Sequence, residues 1–233
     1  MFGDEIWDEN QWESFLKKDD DRIARYMKLL NRFLAENPLP KTDDPQQNQE
    51  WKDAFNAYLI QHGLPLEDFE AGQFLVSGDE ETDEDGAVQF ELPEMDLLEE
   101  DAARTFEALQ QIPVYQKAYS LTTNVLAWSD SLPGSVKDSE LVQFCSNIMQ
   151  VTANIAKGHG MGYDREVLGG NIACLKRGIQ AANSALDLLR DMKARSYFST
   201  DEYQELYEKT YEVRNSVGLY IQEMRDRFNL GID

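Results

Sequence analysis

The chain has 233 residues, of which 44 are acidic and 22 basic, giving a net charge of −22, with 42% apolar and 11% aromatic side chains. That is room for one ordinary domain plus an addition, or for two small domains. The sequence has no run of about 18 apolar residues, so no membrane span is expected. The acidic start MFGDEIWDENQWE lacks the basic and apolar stretches of a secretory signal.

Residues 1–100 hold 27 acids and 8 bases, whereas residues 101–233 hold 17 and 14. The strong acidity that repels nucleic acid at long range therefore belongs to the first hundred residues, and the remainder is nearly neutral. The only cysteines, Cys145 and Cys174, both fall within helical apolar patterns. Without a signal segment they point to a reduced, cytoplasmic protein.

In chain order, a short helix is predicted around Asn10–Lys18. A second runs over Asp19–Glu36, with Ile23, Tyr26, Leu30 and Phe33 on one face, and Pro38 and Pro40 end it. A third covers Pro45–His62, with Pro45 at a first helical position and Gly63 just past the end. Its apolar stripe is Trp51, Phe55, Tyr58 and Leu59. Trp7, Trp12 and Phe15 read either as core of a small helical module or as an acidic-aromatic docking segment. Residues 72–100 read either as a hairpin, with strands at 73–77 and 87–92, or as an acidic linker around Gly78–Gly86. The expected division is thus an acidic helical region over 1–71, the linker or hairpin over 72–100, and a helical domain over 101–233.

From Asp101 the apolar spacing becomes regular. A helix starts near Pro113 and carries Val114, Ala118, Leu121, Val125, Trp128 and Leu132 before Pro133-Gly134 breaks it. The next begins near Ser135–Asp138, carries Leu141, Phe144, Ile148, Val151 and Ile155, and is expected to end at a capping glycine, Gly158, followed by a flexible turn. The third bundle helix carries Leu168, Ile172, Leu175, Ile179, Ala182, Leu186 and Leu189, an uninterrupted heptad-like seam. After Ser196-Tyr197-Phe198, Ser199 and Glu202 supply a capping box for the last helix, which carries Tyr203, Leu206, Thr210, Val213, Val217, Tyr220, Met224 and Phe228. Four long helices with short connections predict an all-α fold: an antiparallel up-down-up-down four-helix bundle with an acidic, mostly helical N-terminal extension.

Three short motifs in this part carry a resemblance: Ile112-Pro113-Val114-Tyr115-Gln116-Lys117-Ala118, Asn154-Ile155-Ala156-Lys157-Gly158, and Ser196-Tyr197-Phe198-Ser199-Thr200-Asp201-Glu202-Tyr203. In order and spacing they resemble the four-helix-bundle proteins encoded in intervening sequences of bacterial 23S ribosomal RNA genes, over about residues 104–228. Lys157 stands where that family has glutamate. The resemblance implies a non-enzymatic protein that forms ring-like homopentamers. A related bundle, the accessory variability protein of diversity-generating retroelements, implies a basic outer surface able to hold nucleic acid.

The residues offer little to catalysis. The two histidines, His62 and His159, have no Cys or Ser near them in sequence in a known catalytic pattern. No Glu-x-x-His motif is present for a bundle metal site, and Asp83-Glu84-Asp85-Gly86 fits a calcium loop poorly. The turn Gly158-His159-Gly160-Met161-Gly162 has no preceding strand to make it a phosphate loop. No cofactor or metal is therefore expected. A basic helix face is the minimum footprint for nucleic acid. The third bundle helix supplies one, with Arg165, Lys176, Arg177, Arg190, Lys193 and Arg195 against three acids, and Lys157 lies just before it. The expected functions are self-assembly with a protein partner on the N-terminal region, or nucleic-acid binding by this basic face.

Overall fold

The computed structural model describes residues 6–39, 45–64, 106–193, 195 and 199–231. Among the described residues the fold is all-helical, as the apolar spacing predicts. We number the long helices α1 Glu9–Glu36, α2 Pro45–Gln61, α3 Pro113–Ser131, α4 Ser139–Met161, α5 Arg165–Met192 and α6 Thr200–Leu230. A 3₁₀ turn, Gly134–Val136, lies between α3 and α4, and a further helical turn covers 106–110. The hairpin or linker expected over 72–100, the Asp83–Gly86 stretch and Ser196–Phe198 lie outside the described residues. Among the described residues no helix is long and apolar enough to cross a membrane.

The chain divides into two compact units: Met1–Trp12 with Thr82–Asp233, and Glu13–Glu81. The boundary falls inside α1. This helix is unbroken from Glu9 to Glu36, where two helices meeting at Lys18 were expected. No Pro or Gly occurs from Glu9 to Glu36, so nothing in the sequence breaks it. Its start is fixed by a capping box one residue earlier than expected. Asp8 Oδ1 accepts from the amides of Asn10 (2.8 Å) and Gln11 (2.9 Å), and Gln11 Oε1 accepts from the Asp8 amide (2.9 Å).

In the larger unit α4 packs on α3 and α5, and α6 packs on α5 and α3. The four helices share one core, in which Phe144, Val125, Leu175, Leu189, Val217 and Met224 are wholly buried. Burial at about 25 cal/mol per Å² supplies most of the stability of such a core. The seam residues of α5 are buried apart from the half-buried Ile179, as the heptad spacing predicts. The one polar seam residue of α6, Thr210, is fully buried and spends its hydroxyl on the Leu206 carbonyl (2.7 Å). At the start of α6 the predicted capping box is formed: Glu202 accepts from the Ser199 amide at 2.9 Å, and Ser199 Oγ accepts from the Glu202 amide at 3.2 Å.

The expected end of α4 at Gly158 is corrected. The helix continues to Met161, and Gly162, at φ +97°, takes the terminal position. Gly158 is instead a close-packing residue. A Cβ there would sit 3.1 Å from Asn171 Oδ1 and 3.2 Å from the Asn171 carbonyl oxygen, so its lack of side chain lets α4 approach α5. Gly160 has no such reason, because nothing lies within 4 Å of its missing Cβ. Gly160→Ala is therefore expected to stabilise the fold by about 0.5–1 kcal/mol, read as a higher melting temperature. A lower one would mean that α4 ends before Gly160.

In the smaller unit Phe33, Phe55, Leu59 and Leu64 form a separate core, with Tyr26, Leu30, Trp51 and Tyr58 packed against it. Its centre is aromatic: Phe33 of α1 meets Trp51, Phe55 and Tyr58 of α2 at centroid distances of 5.4, 5.1 and 5.2 Å. Trp51 Nε1 donates to the Asn37 carbonyl (2.9 Å), and Gly63, at φ +65°, turns the chain after α2.

Candidate functional site

The most constructed feature of the larger unit lies where residues 7–12 meet α5. Two adjacent glycines, Gly169 and Gly170, sit buried inside that helix, where each costs about 1 kcal/mol relative to alanine. The N-terminal segment explains both. A Cβ on Gly169 would collide with the Trp7 carbonyl oxygen and lie 2.8 Å from Trp12 Cδ1. A Cβ on Gly170 would lie 2.7 Å from Met161 Sδ and 3.0 Å from Trp12 Cδ2. The glycine pair is thus a notch that seats the Trp12 ring, which is 1% exposed, with Trp7 edge-on to it at 5.6 Å.

Beside the notch Glu9 is clasped by two cations. Arg225 of α6 donates through Nη2 to Glu9 Oε1 (2.7 Å) and through Nε to Oε2 (3.0 Å), and Lys176 Nζ of α5 lies 3.2 Å from Oε1. The bidentate arrangement is the strong form of such a pair. The Arg225 bond, followed by Lys176, holds the Glu9 carboxyl below its ordinary value of 4.5 against the opposing effect of burial. Its folded pKa is depressed, so its contribution is full above pH 4.5 and is lost as pH falls through the lower folded value. Trp12 emission should therefore remain that of a buried indole down to pH 4.5 and shift red only below it. Release already near neutral pH would contradict this assignment.

The bases expected to bind nucleic acid scatter over several partners. Lys176 is held by Glu9. Arg190 reaches Asp187 (2.9 Å) and the Tyr207 hydroxyl (3.4 Å). Lys193 lies 5.1 Å over the Tyr203 ring, and Arg195 pairs with Glu140 of α4 at 2.5 Å. Arg165 is exposed at the start of α5, Arg177 is half-buried, and Lys157 is half-buried on α4. What sequence reasoning missed are the partners from α6: Arg225, which meets Lys176 through Glu9, and Arg214, which donates to Asn183 of α5 (3.1 Å). Both come from a helix whose many acids hide them in a count of charges.

At the end of α4 His159 Nδ1 lies 2.8 Å from the Tyr163 hydroxyl, which lies 3.0 Å from that of Tyr220. Burial lowers the pKa of His159 and, with the Tyr163 hydroxyl, pushes Tyr220 far above the usual phenol value. They tie the α4–α5 connection to α6. Beside them a groove of about 450 Å³ is lined by Ile112, Val114, Leu219 and Arg227 among others.

The outer face shared by α3 and α4 has a different character. Thr122 Oγ1 of α3 and Thr152 Oγ1 of α4 are 2.8 Å apart, marking where the helices touch. Flanking that contact, Tyr119 and Leu126 on α3 and Val142 and Met149 on α4, each pair seven residues apart, are exposed large apolar side chains, Val142 at 61%. The charged residues of α3 are only Lys117 and Asp130, and those of α4 only Glu140 and Lys157. By contrast α6 contains eleven. No protein-family model, no curated protein sequence and no solved structure matches the chain.

Proposed function

We propose that this chain is a non-enzymatic, self-assembling scaffold. In this reading α3 to α6 form an antiparallel up-down-up-down four-helix bundle, and copies of it meet through the outer α3/α4 face. The resemblance of the sequence to intervening-sequence proteins implies a ring of five, and the two buried free thiols, Cys145 and Cys174, suit a reducing cytoplasm.

The observation that carries the reading is the charge-poor apolar stripe of Tyr119, Leu126, Val142 and Met149 on a molecule of net charge −22. Acidic copies repel one another wherever their charged faces meet. The α3/α4 face is where they approach without that penalty and bury apolar surface in return. Light scattering on the full chain during size-exclusion chromatography tests the proposal: an oligomer is expected, and a strict monomer at high concentration would end it.

A second reading, a nucleic-acid-binding accessory protein, is favoured by one observation. Arg214 of α6 donates to Asn183 of α5, seven residues from Lys176, and Arg225 of α6 shares the Glu9 carboxylate with Lys176, so bases of two helices adjoin. Its test is a salt titration of RNA and DNA binding with the full chain and with Glu9→Gln, which loosens the carboxylate from those cations. No binding by either at low salt rejects it.

A further inference from the structure

The notch at Gly169-Gly170 with the cation pair Lys176 and Arg225 is a recognition site already holding its ligand, a six-residue acidic-aromatic segment that starts a helix. We propose that this site also works between molecules: the Trp7–Trp12 segment of one copy seats in the notch of another, so that copies exchange N-terminal segments. This deepens the self-assembly reading, because assembled copies hold segment and neighbouring notch at high local concentration.

Three observations carry it. First, the contact is specific and local: the buried Trp12 ring and the clasped Glu9 carboxylate lie three residues apart in the chain. Second, the charges are complementary in the sense a second copy requires. A chain with twice as many acids as bases presents here two cations from different helices converging on one carboxylate, and the acidic N-terminus of every copy carries that carboxylate. Third, the connectivity permits exchange. Beyond Trp12 the chain enters the Glu13–Glu81 unit, which packs its own core, and Trp12 belongs to neither unit's main cluster, so release of the segment leaves both cores intact. Exchange of an identical element between protomers is a low-cost route to association, because every contact made in trans already exists in cis.

A complementation experiment decides. Both partners carry Leu126→Glu and Met149→Glu, which remove the α3/α4 contact. One also carries Gly169→Val, which blocks its notch and leaves its segment intact. The other carries Glu9→Ala and Trp12→Ala, which spoil its segment and leave its notch intact. Each alone is expected to be monomeric in native mass spectra, and the mixture is expected to give a one-to-one heterodimer. A mixture that stays monomeric overturns the proposal. Should Gly169→Val fail to fold, by loss of far-ultraviolet helicity, Lys176→Glu with Arg225→Glu blocks the notch from the surface, and the same two outcomes apply. Light scattering on the unaltered chain reports the α3/α4 assembly separately, so failure of exchange and failure of that assembly give different results.

Discussion

Leu126→Glu combined with Met149→Glu is expected to convert the proposed assembly to a monomer and to leave the fold intact. Both side chains are exposed in the single copy, 38% and 42%, so the substitutions leave no cavity and bury no charge there. Surface changes of this kind alter stability by about 0.5 kcal/mol or less. In an assembly the same positions are desolvated, and each unpaired carboxylate costs about 2–5 kcal/mol. With 1.4 kcal/mol per tenfold in affinity, two charges per copy weaken association by roughly a thousandfold or more. A standard interface buries about 800 Å² on each partner, and few survive such a loss. Light scattering reads the mass and a thermal melt reads the fold. An unchanged mass would place the interface elsewhere, and a collapsed melt would show that these side chains are core.

The helices of the larger unit were legible because their seams obey one period. Leu168, Ile172, Leu175 and the residues that follow repeat without a polar interruption, and only a helix puts them all on one side. The start of α6 was legible from the capping chemistry of Ser199, and that of α4 only to within Ser135–Asp138, where Asp138 accepts from the Leu141 amide. The end of α4 was not. Three glycines in five residues look alike in sequence, and only packing against Asn171 distinguishes the buried Gly158 from Gly162, the one that turns the chain. The notch was hidden for a related reason. Gly169-Gly170 inside a helix is a local conflict, yet its resolution lies about 160 residues earlier, in Trp7 and Trp12. The Asp8-x-x-Gln11 box would have announced the true start of α1, and with it the position of Glu9, had it been read as a cap. The cation pair that holds Glu9 was legible only in half, since Lys176 comes from α5 but Arg225 from α6, and a tally along one helix cannot show that two meet on one carboxylate.

Gly169→Ala should change the sign of its effect when the N-terminal segment is spoiled. Taken alone, replacing a mid-helix glycine by alanine stabilises by about 0.5–1 kcal/mol, because glycine loses more backbone freedom on folding. In the unaltered chain that gain is overridden. The new methyl group collides with the backbone carbonyl of Trp7 and lies 2.8 Å from Trp12 Cδ1, and a backbone atom cannot turn aside as a flexible side chain could. The segment must leave, taking with it the buried Trp12 ring and the Glu9 clasp. Withdrawing one large side chain from its seat costs about 1.5–3 kcal/mol, so the net change is a destabilisation of about 1–2 kcal/mol with a red shift of Trp12 emission. In a chain already carrying Glu9→Ala and Trp12→Ala the seat has no tenant to evict, and only the helix term remains, so the same substitution raises the melting temperature. The difference between the two effects is the coupling between notch and segment, measured as a double-mutant cycle by chemical denaturation. Equal effects in both backgrounds would mean that the segment does not occupy the notch in solution. An effect of opposite sign ties a glycine in the second turn of α5 to a tryptophan near the N-terminus, a link that neither stretch of sequence carries by itself.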